Sequence, residues 1–525
     1  MATKLPWTPL TPAFGLEEFG LPIPRRNAET WGHFDVSGMV NQDYSKINEN
    51  NGKVFELSEE QVTAYRGQLE KGGSWIADDA CQARLVYING QFVPQLSMEN
   101  ELAKNLASID DSVSEEVKSC LSRLTDGFTD ELAAPVPTGQ DMYCSSYKKL
   151  GGADHSLGEP YSQFAINTQQ GTACFAALNT RHTGGVAYVQ APDEHDNEIE
   201  ERKPVLILNA VTNNGSVSDS EGTSMHPRCL VIAGKNSRLS VVQACVDLDN
   251  ESNHVPKLYN GFTQMFVSEG ANLTHSFLEE SGGMVTAGVE KGDDAREVEA
   301  ERPALKDTHL ECIDVQCVGD DASYEGTIMS VGGSGRVRIA HSVSLLKPRA
   351  HAKVYGFFLS GGAQRTDCKT NIHHAGQGTT SEQIQKNMIG GKATGAFRGR
   401  IRVEQSAQQT DSQQISRTIL LSDKSRAWSV PSLEIIADDV QCTHGATVSD
   451  LSEEELFYLR SRGLDTNLAR NLLMYAFAAD VCNSVDPAML TSVDSDEGLQ
   501  KRLIERLNNV VPQGERAVKG EFQSV

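Results

Sequence analysis

With 525 residues, 39% of them hydrophobic and 22% charged, the chain is long enough for several buried cores and too apolar to remain disordered. Its 71 acidic residues against 47 basic ones leave a net charge of −24, which repels nucleic-acid phosphates and argues against DNA or RNA as a partner. No apolar run approaches the ~20 residues that cross a bilayer, and the start, MATKLPWTPLTPAFG, has neither a basic n-region nor an apolar h-region, so no membrane span and no secretory signal are expected.

Three compositional parts follow one another. Residues 1–183 read as a mixed, partly helical N-terminal domain. Within it Val117, Leu121, Leu124, Phe128 and Leu132 recur at three- and four-residue steps and predict one apolar face of a helix over 115–132. The stretches 151–160 and 193–201 read as loops from their Gly, Ser and acidic content.

Residues 184–447 change to a period of two. Leu239, Val241 and Gln243 alternate with Ser240, Val242 and Ala244, and Val337 and Ile339 alternate with Arg336, Arg338 and Ala340. A loose repeat runs through this part: a turn with Gly or Pro, a small or polar residue, then an alternating strand. Its copies are IAGKNSRLSV (232–241), VSEGANLTHS (267–276), CVGDDASYEG (317–326), VGGSGRVRIA (331–340) and LKPRAHAKVY (346–355). The last three follow at steps of about 15 residues, too short for a helix to cross between neighbouring parallel strands. An antiparallel meander and a β-solenoid both satisfy that spacing; only the solenoid leaves an open strand edge at its end, to be capped or paired.

Residues 448–525 turn helical. Ser452 followed by Glu455 has the capping-box pattern, and Gly463 sits where that helix would stop. A second helix is predicted from Thr466, with Leu468, Leu472, Leu473, Ala476 and Phe477 as its apolar stripe. A third is predicted over 496–509, with Leu499, Leu503, Ile504 and Leu507 on one side. So short a helical tail must pack on the β part or on a partner.

The chemistry-bearing motifs are few. Gly391-Lys392 is followed by Ala393 where a phosphate loop needs Ser or Thr, and Lys386 stands in place of its first Gly, so no ATP site is expected. GGSGRV near Gly333 fails the dinucleotide fingerprint, and neither GxSxG nor HExxH occurs. The 11 cysteines include no CxxC pair, which excludes a zinc ribbon and fits reduced thiols; three glycosylation sequons, at Asn214, Asn250 and Asn272, are read as chance matches. Cys442 and His444 are two apart, so on a strand both would face one side and could ligate one iron or tune each other; the same spacing suits a buried Cys beside a satisfied His. Cys312 and Cys317 would face opposite sides. Asp367, Cys368, His373 and His374 form a second cluster, and Asp438–Asp439 an acidic pair that would suit a carbohydrate-active β-helix only if the carboxylates converged.

The text itself carries a resemblance. PSLEIIADDVQCTHGATVSDLSEEELFYLRSRGLDTNLARNLLMYAFAADV (431–481), AFRGRIRVEQSAQQTDSQQISRTILLS (396–422), PRCLVIAGKNSRLSVVQ (227–243) and GLPIPRRNAETW (20–31) resemble the SufD branch of the SufB/SufD family of the SUF iron–sulfur machinery. The branch is chosen on two positions: Ser416 stands where SufB carries a cysteine, and Gly445 departs from SufB's HEAT text. The resemblance implies a mainly β fold, with a right-handed parallel β-helix core between N-terminal and C-terminal helical domains. It implies a non-enzymatic scaffold that pairs with SufB through the β-helix and docks the ATPase SufC on the C-terminal helices, where Phe457, Tyr458, Arg460, Arg462, Leu472 and Leu473 are the expected contacts. His444, with Cys442 as a weaker candidate, is implied at the site of a transient iron–sulfur cluster shared with SufB, and His444 as its passing ligand; a flavin is left open. The competing readings are a SufB-type cluster-building subunit and a carbohydrate-active β-helix enzyme. Text such as PYSQFAINTQQGTACFAALNT resembles algal and plant versions, which implies the plastid stroma, with the bacterial cytoplasm as the alternative.

Overall fold

The computed structural model describes residues 7–9, 22–24, 57–71, 81–106, 175, 179, 183, 185–194, 203–212, 223–248, 257–281, 307–482 and 484–485. The helices predicted over 115–132 and 496–509 and the loop at 151–160 lie outside these residues.

Period-two text becomes strands that never pair with their sequence neighbours. His351–Ser360 pairs in parallel with Thr380–Ile389, which pairs with Thr410–Leu420 and then with Val440–Ser449. The strands between them, Arg365–His374, Thr394–Val403 and Arg426–Ile435, pair in parallel with each other in a second sheet. Successive strands thus alternate between two ten-stranded sheets, and the repeat step of about 15 residues is half of a coil of about 30. That is a two-sheet parallel β-solenoid; the meander is excluded because its strands would be antiparallel.

The corners explain the repeat's punctuation. Asn236, Gly270, Asp321, Arg349, Gly378 and Gln409 all hold positive φ, between 55° and 65°, and each is the left-handed hinge of one coil. Beside these hinges lie Ser237, Ala271, Ala322, Ala350, Thr379 and Thr410, all buried, because a stacked corner has room only for a small side chain.

Antiparallel pairs close the N-terminal end of the solenoid. Gln91–Phe92 folds back on Ala83–Ile88, and Ala103–Leu106 runs antiparallel to Val186–Ala191. Strands from 83–106, in the stretch read as the mixed N-terminal part, thereby join the two sheets, which hydrophobic alternation over only six residues did not announce.

Between the sheets lies an apolar core that includes Leu239, Phe277, Ile313, Val343, Ile372 and Ile401. The outer face of the first sheet carries a second apolar layer, with Leu278, Met329, Phe357, Met388 and Ile419, covered by three helices. These are α1 (Glu59–Lys71), α2 (Glu453–Ser461) and α3 (Thr466–Cys482). Ser452 caps α2 as its sequence pattern predicts, accepting from the Glu455 N–H at 3.3 Å, and Gly463 follows with φ +93°.

For α3 the predicted stripe is corrected. Ala469, Met474, Ala478 and Val481 face the sheet, whereas Leu468 and Leu472 are 52% and 46% exposed. Small residues allow the helix axis to approach the sheet closely, so the bulkier leucines are left outside; only Leu473 and Phe477 of the predicted stripe pack partly against this layer. Lys386, from the sheet, anchors the helix by donating to the Phe477 carbonyl at 2.8 Å while lying over its ring.

Candidate functional site at the open end of the solenoid

Each sheet ends on a strand with no further neighbour among the described residues: Val440–Ser449 in the first and Arg426–Ile435 in the second. Val440–Ser449 is exposed over most of its length and Arg426–Ile435 at every other residue or so, with none of either fully buried, unlike the preceding coils, and they present Trp428, Val430, Ile435 and Val448 to solvent. Their free N–H and C=O groups, with apolar side chains between them, form an edge ready for pairing.

Cys442 and His444 lie on the last strand of this open end. Val440 and Cys442 pack against the interior core, so strand alternation sets His444 on the same inner side, at the mouth of the solenoid. Cys442 is half-buried; burial and, secondarily, the charge of Asp411 push its thiol above its usual range, so it rests as a neutral thiol. None of the other described cysteines is in a disulfide, and all of them are buried. An imidazole and a thiol on one side of an open edge are donors suited to iron, and one edge strand alone supplies too few of them to hold a cluster.

Directly beneath this coil, Ser412 pairs with Cys442, Gln414 with His444 and Ser416 with Ala446. Ser416 is fully buried and receives a hydrogen bond from Ser429 across the interior at 2.8 Å. The position that distinguishes the SufB text is thus an inward hydroxyl tied to the opposite sheet.

The second cluster is dispersed by alternation. Cys368 points inward, its thiol 3.5 Å from the Gln385 carbonyl oxygen, and burial pushes its pKa up. His374 is also inward, bonded to Thr379 and Ser381. Asp367 lies on the outer face in a buried ion pair with Arg338, and His373 meets Glu404 at 3.0 Å. These four therefore serve packing and pairing on two sides of one sheet. Cys312 and Cys317 face opposite sides, the former against Phe262 and the latter in the core. Asp438 and Asp439 occupy an exposed corner, where Asp439 bonds the preceding coil through its backbone and no other carboxylate converges on the pair among the described residues.

On the helical pair, Phe457 is 73% and Tyr458 56% exposed, and Leu468 and Leu472 on α3 are exposed as well. Arg460 and Arg462 are exposed beside them, Arg462 stacking over the Tyr458 ring, while Leu473 is half-buried in the outer layer.

Sequence reading missed the polar residues inside the core. Thr263 donates to Glu311 and bonds Gln243, which meets His275; that imidazole meets the Tyr324 hydroxyl, which reaches His341 at 3.0 Å. The available signal is a Gln or His at an inward-facing strand position, a place apolar residues normally occupy.

Comparison with known proteins places these features in context. A family model described as SUF system FeS cluster assembly, SufBD core domain, matches residues 216–477, which take in the open edge and most of the helical pair. Over 485 residues the chain is 25% identical to an iron–sulfur cluster assembly SufBD family protein of Synechocystis, covering 90% of this chain and 85% of the relative. It is 24% identical over 496 residues to the iron–sulfur cluster assembly protein SufD of Escherichia coli, covering 94% and 90%. Protein ABCI7, chloroplastic, of Arabidopsis thaliana is 26% identical over 361 residues, 68% of each chain.

Proposed function

The chain belongs to the SufBD family of SUF-system iron–sulfur cluster assembly proteins, and on that premise we propose that it is a SufD-type scaffold whose open solenoid end is completed by SufB. The observation that carries this reading is the pair of exposed terminal edge strands with His444 and Cys442 on the inner side of one of them. Pairing there would extend both sheets into the partner and enclose the two side chains in the seam. His444 supplies an imidazole to a cluster formed transiently across that seam, Cys442 supports it, and SufB contributes the remaining ligands; the cluster is cargo, released to client proteins.

In this reading the chain performs no catalysis itself and takes its energy from SufC, docked on the exposed Phe457, Tyr458 and Leu472 together with Arg460 and Arg462. The three-part organisation, 1–183, 184–447 and 448–525, is retained as a functional division, with partner-docking helices following the seam-forming core. Kinship with a chloroplastic relative as well as bacterial ones supports the plastid stroma as its compartment, with the bacterial cytoplasm as the alternative.

The test is His444→Ala in a complex reconstituted with SufB and SufC. Cluster formation, followed by iron and sulfide content and visible absorbance, should fall about tenfold or more while the complex still assembles. A normal yield would remove His444 from the site, and no association with SufB would place the seam elsewhere.

A further inference from the structure

Gln414 has a buried acceptor without a partner, one coil beneath His444. Its side chain is fully buried, and the amide lies across the interior against Gly399, where a Cβ would come within 2.3 Å of its Nε2. Nε2 donates to the Gln383 carbonyl oxygen at 2.6 Å, and the Gln383 amide in turn donates to Thr370. With the Thr370 hydroxyl accepting, that chain turns the Gln414 nitrogen toward Gln383 and leaves its oxygen on the other side. Oε1 is then left with no hydrogen-bond partner among the described residues.

The coil above offers few donors. In the opposite sheet Gly399 is followed by Pro431, which has no N–H, and the Ser429 hydroxyl already donates to Ser416. In the first sheet Gln414 is in register with His444, on the same inner side, and strand neighbours on one face stand close enough for these two side chains to meet.

The geometry points to Gln414 as the positioning residue of His444. Its Oε1, unpartnered in this structure, would accept one N–H of the exposed imidazole once that ring turns down onto the coil beneath, which selects a single ring tautomer and leaves the other nitrogen bare, with its lone pair turned out of the solenoid mouth. An imidazole acts as a metal ligand through such a bare nitrogen, and the hydrogen bond made by its other nitrogen sets which one that is. This inference rests on the proposed role of His444 at the seam. Thr370, Gln383 and Gln414 then form a relay of orientation, carried by amides and a hydroxyl from deep in the core to the exposed edge.

The experiment uses the full-length chain with ring-¹⁵N histidine, at alkaline pH where the imidazole is neutral, and identifies the His444 signals by their loss in His444→Ala. Wild type should give two widely separated ring nitrogens, the signature of one tautomer. In Gln414→Met, which keeps the length but removes the amide acceptor, the separation should narrow toward the exchanging average, and Gln383→Leu, which frees the amide to flip, should act in the same direction. Gln414→Glu should restore a single tautomer, since a carboxylate oxygen accepts in the same place. Unchanged His444 signals in both Gln414→Met and Gln383→Leu would overturn the assignment, whatever the cluster yield. Narrowed signals with a cluster yield reduced about tenfold in the reconstituted complex support it in full. Narrowed signals with normal yield in both Gln414→Met and His444→Ala would uphold the hydrogen bond and sink the seam reading instead.

Discussion

Interior glycines in this solenoid act as slots for polar side chains. Added Cβ atoms at Gly261, Gly326, Gly356 and Gly399 would strike Glu311, the Tyr324 hydroxyl, Gln385 and Gln414 respectively, all within 2.3 Å. Gly399 faces Gln414 from the opposite sheet, Gly261 and Gly356 lie in register beside Glu311 and Gln385 on the neighbouring coil, and Gly326 lies two residues along its own strand from Tyr324; in each case the missing Cβ leaves the space that the polar side chain fills. Gly399→Ala is therefore expected to lower stability by about 1–3 kcal/mol, because Phe397 as well as the Gln414 amide must move. Gly445→Ala is the control: its Cβ meets nothing within 4 Å, so the free chain should keep its stability to within about 0.5 kcal/mol. Urea midpoints of the two variants check this, and equal midpoints would show that the interior yields more easily than a packed core should. The same slots explain why the candidate site was only half legible. Cys442 and His444 stand out as reactive residue types two apart, whereas Gln414 becomes notable only once the register sets it beneath His444.

At the level of elements, alternation and the small residues after each turn were enough to identify strands and their half-coil spacing, but not which strand pairs with which. Parallel pairing to the next strand but one depends on the hinges at the corners, and in the series of six that leads from the second sheet into the first only two, Gly270 and Gly378, are glycine. Four non-glycine residues in the left-handed region left no sequence signal of a regular turn. The helix α3 was located correctly and its contact face was not, since a stripe of leucines outweighs a stripe of alanines in any hydrophobic reading of the text. That exchange has a functional consequence, because the leucines remain free for a partner. Removing everything after Ser449 should abolish SufC capture, yet it also uncovers Phe357, Met388 and Ile419 on the outer face of the sheet. The cleaner test is Phe457→Ser combined with Leu472→Ser: both side chains are exposed, so thermal unfolding should be unchanged while SufC capture falls at least tenfold. Undiminished capture would move the docking surface off these helices.

Over the whole molecule, the buried titratable groups set a pH range for stability. Burial lowers His275, His309, His341 and His374 from 6.5 to about 3, so each stays neutral in the folded chain while the unfolded chain takes up a proton below 6.5. Their contribution is complete above pH 6.5 and is lost as the pH falls toward 3. Two carboxyls act oppositely. Burial raises Asp314 to about 6 and Glu311 well above its usual value, so between pH 4.5 and 6 the folded chain keeps protons there that the unfolded chain releases. Four imidazoles against two carboxyls leave the unfolded state with a net excess of about two protons near pH 5.5, equivalent to about 2.7 kcal/mol of stability lost per pH unit of acidification. On the alkaline side Lys369, lowered by burial, and Glu311, raised by it, pull in opposite directions, while Cys317 and Cys482, raised by burial to about 12, begin to cost stability above pH 9 as the unfolded thiols ionise. The urea midpoint of the isolated chain should accordingly fall steeply from pH 7 to pH 5 and change little between pH 7.5 and 8.5. An interior whose imidazoles were open to water would show no such acid limb, and a flat midpoint from pH 7 to 5 would mean that the core polar chain is solvated rather than sealed between the sheets.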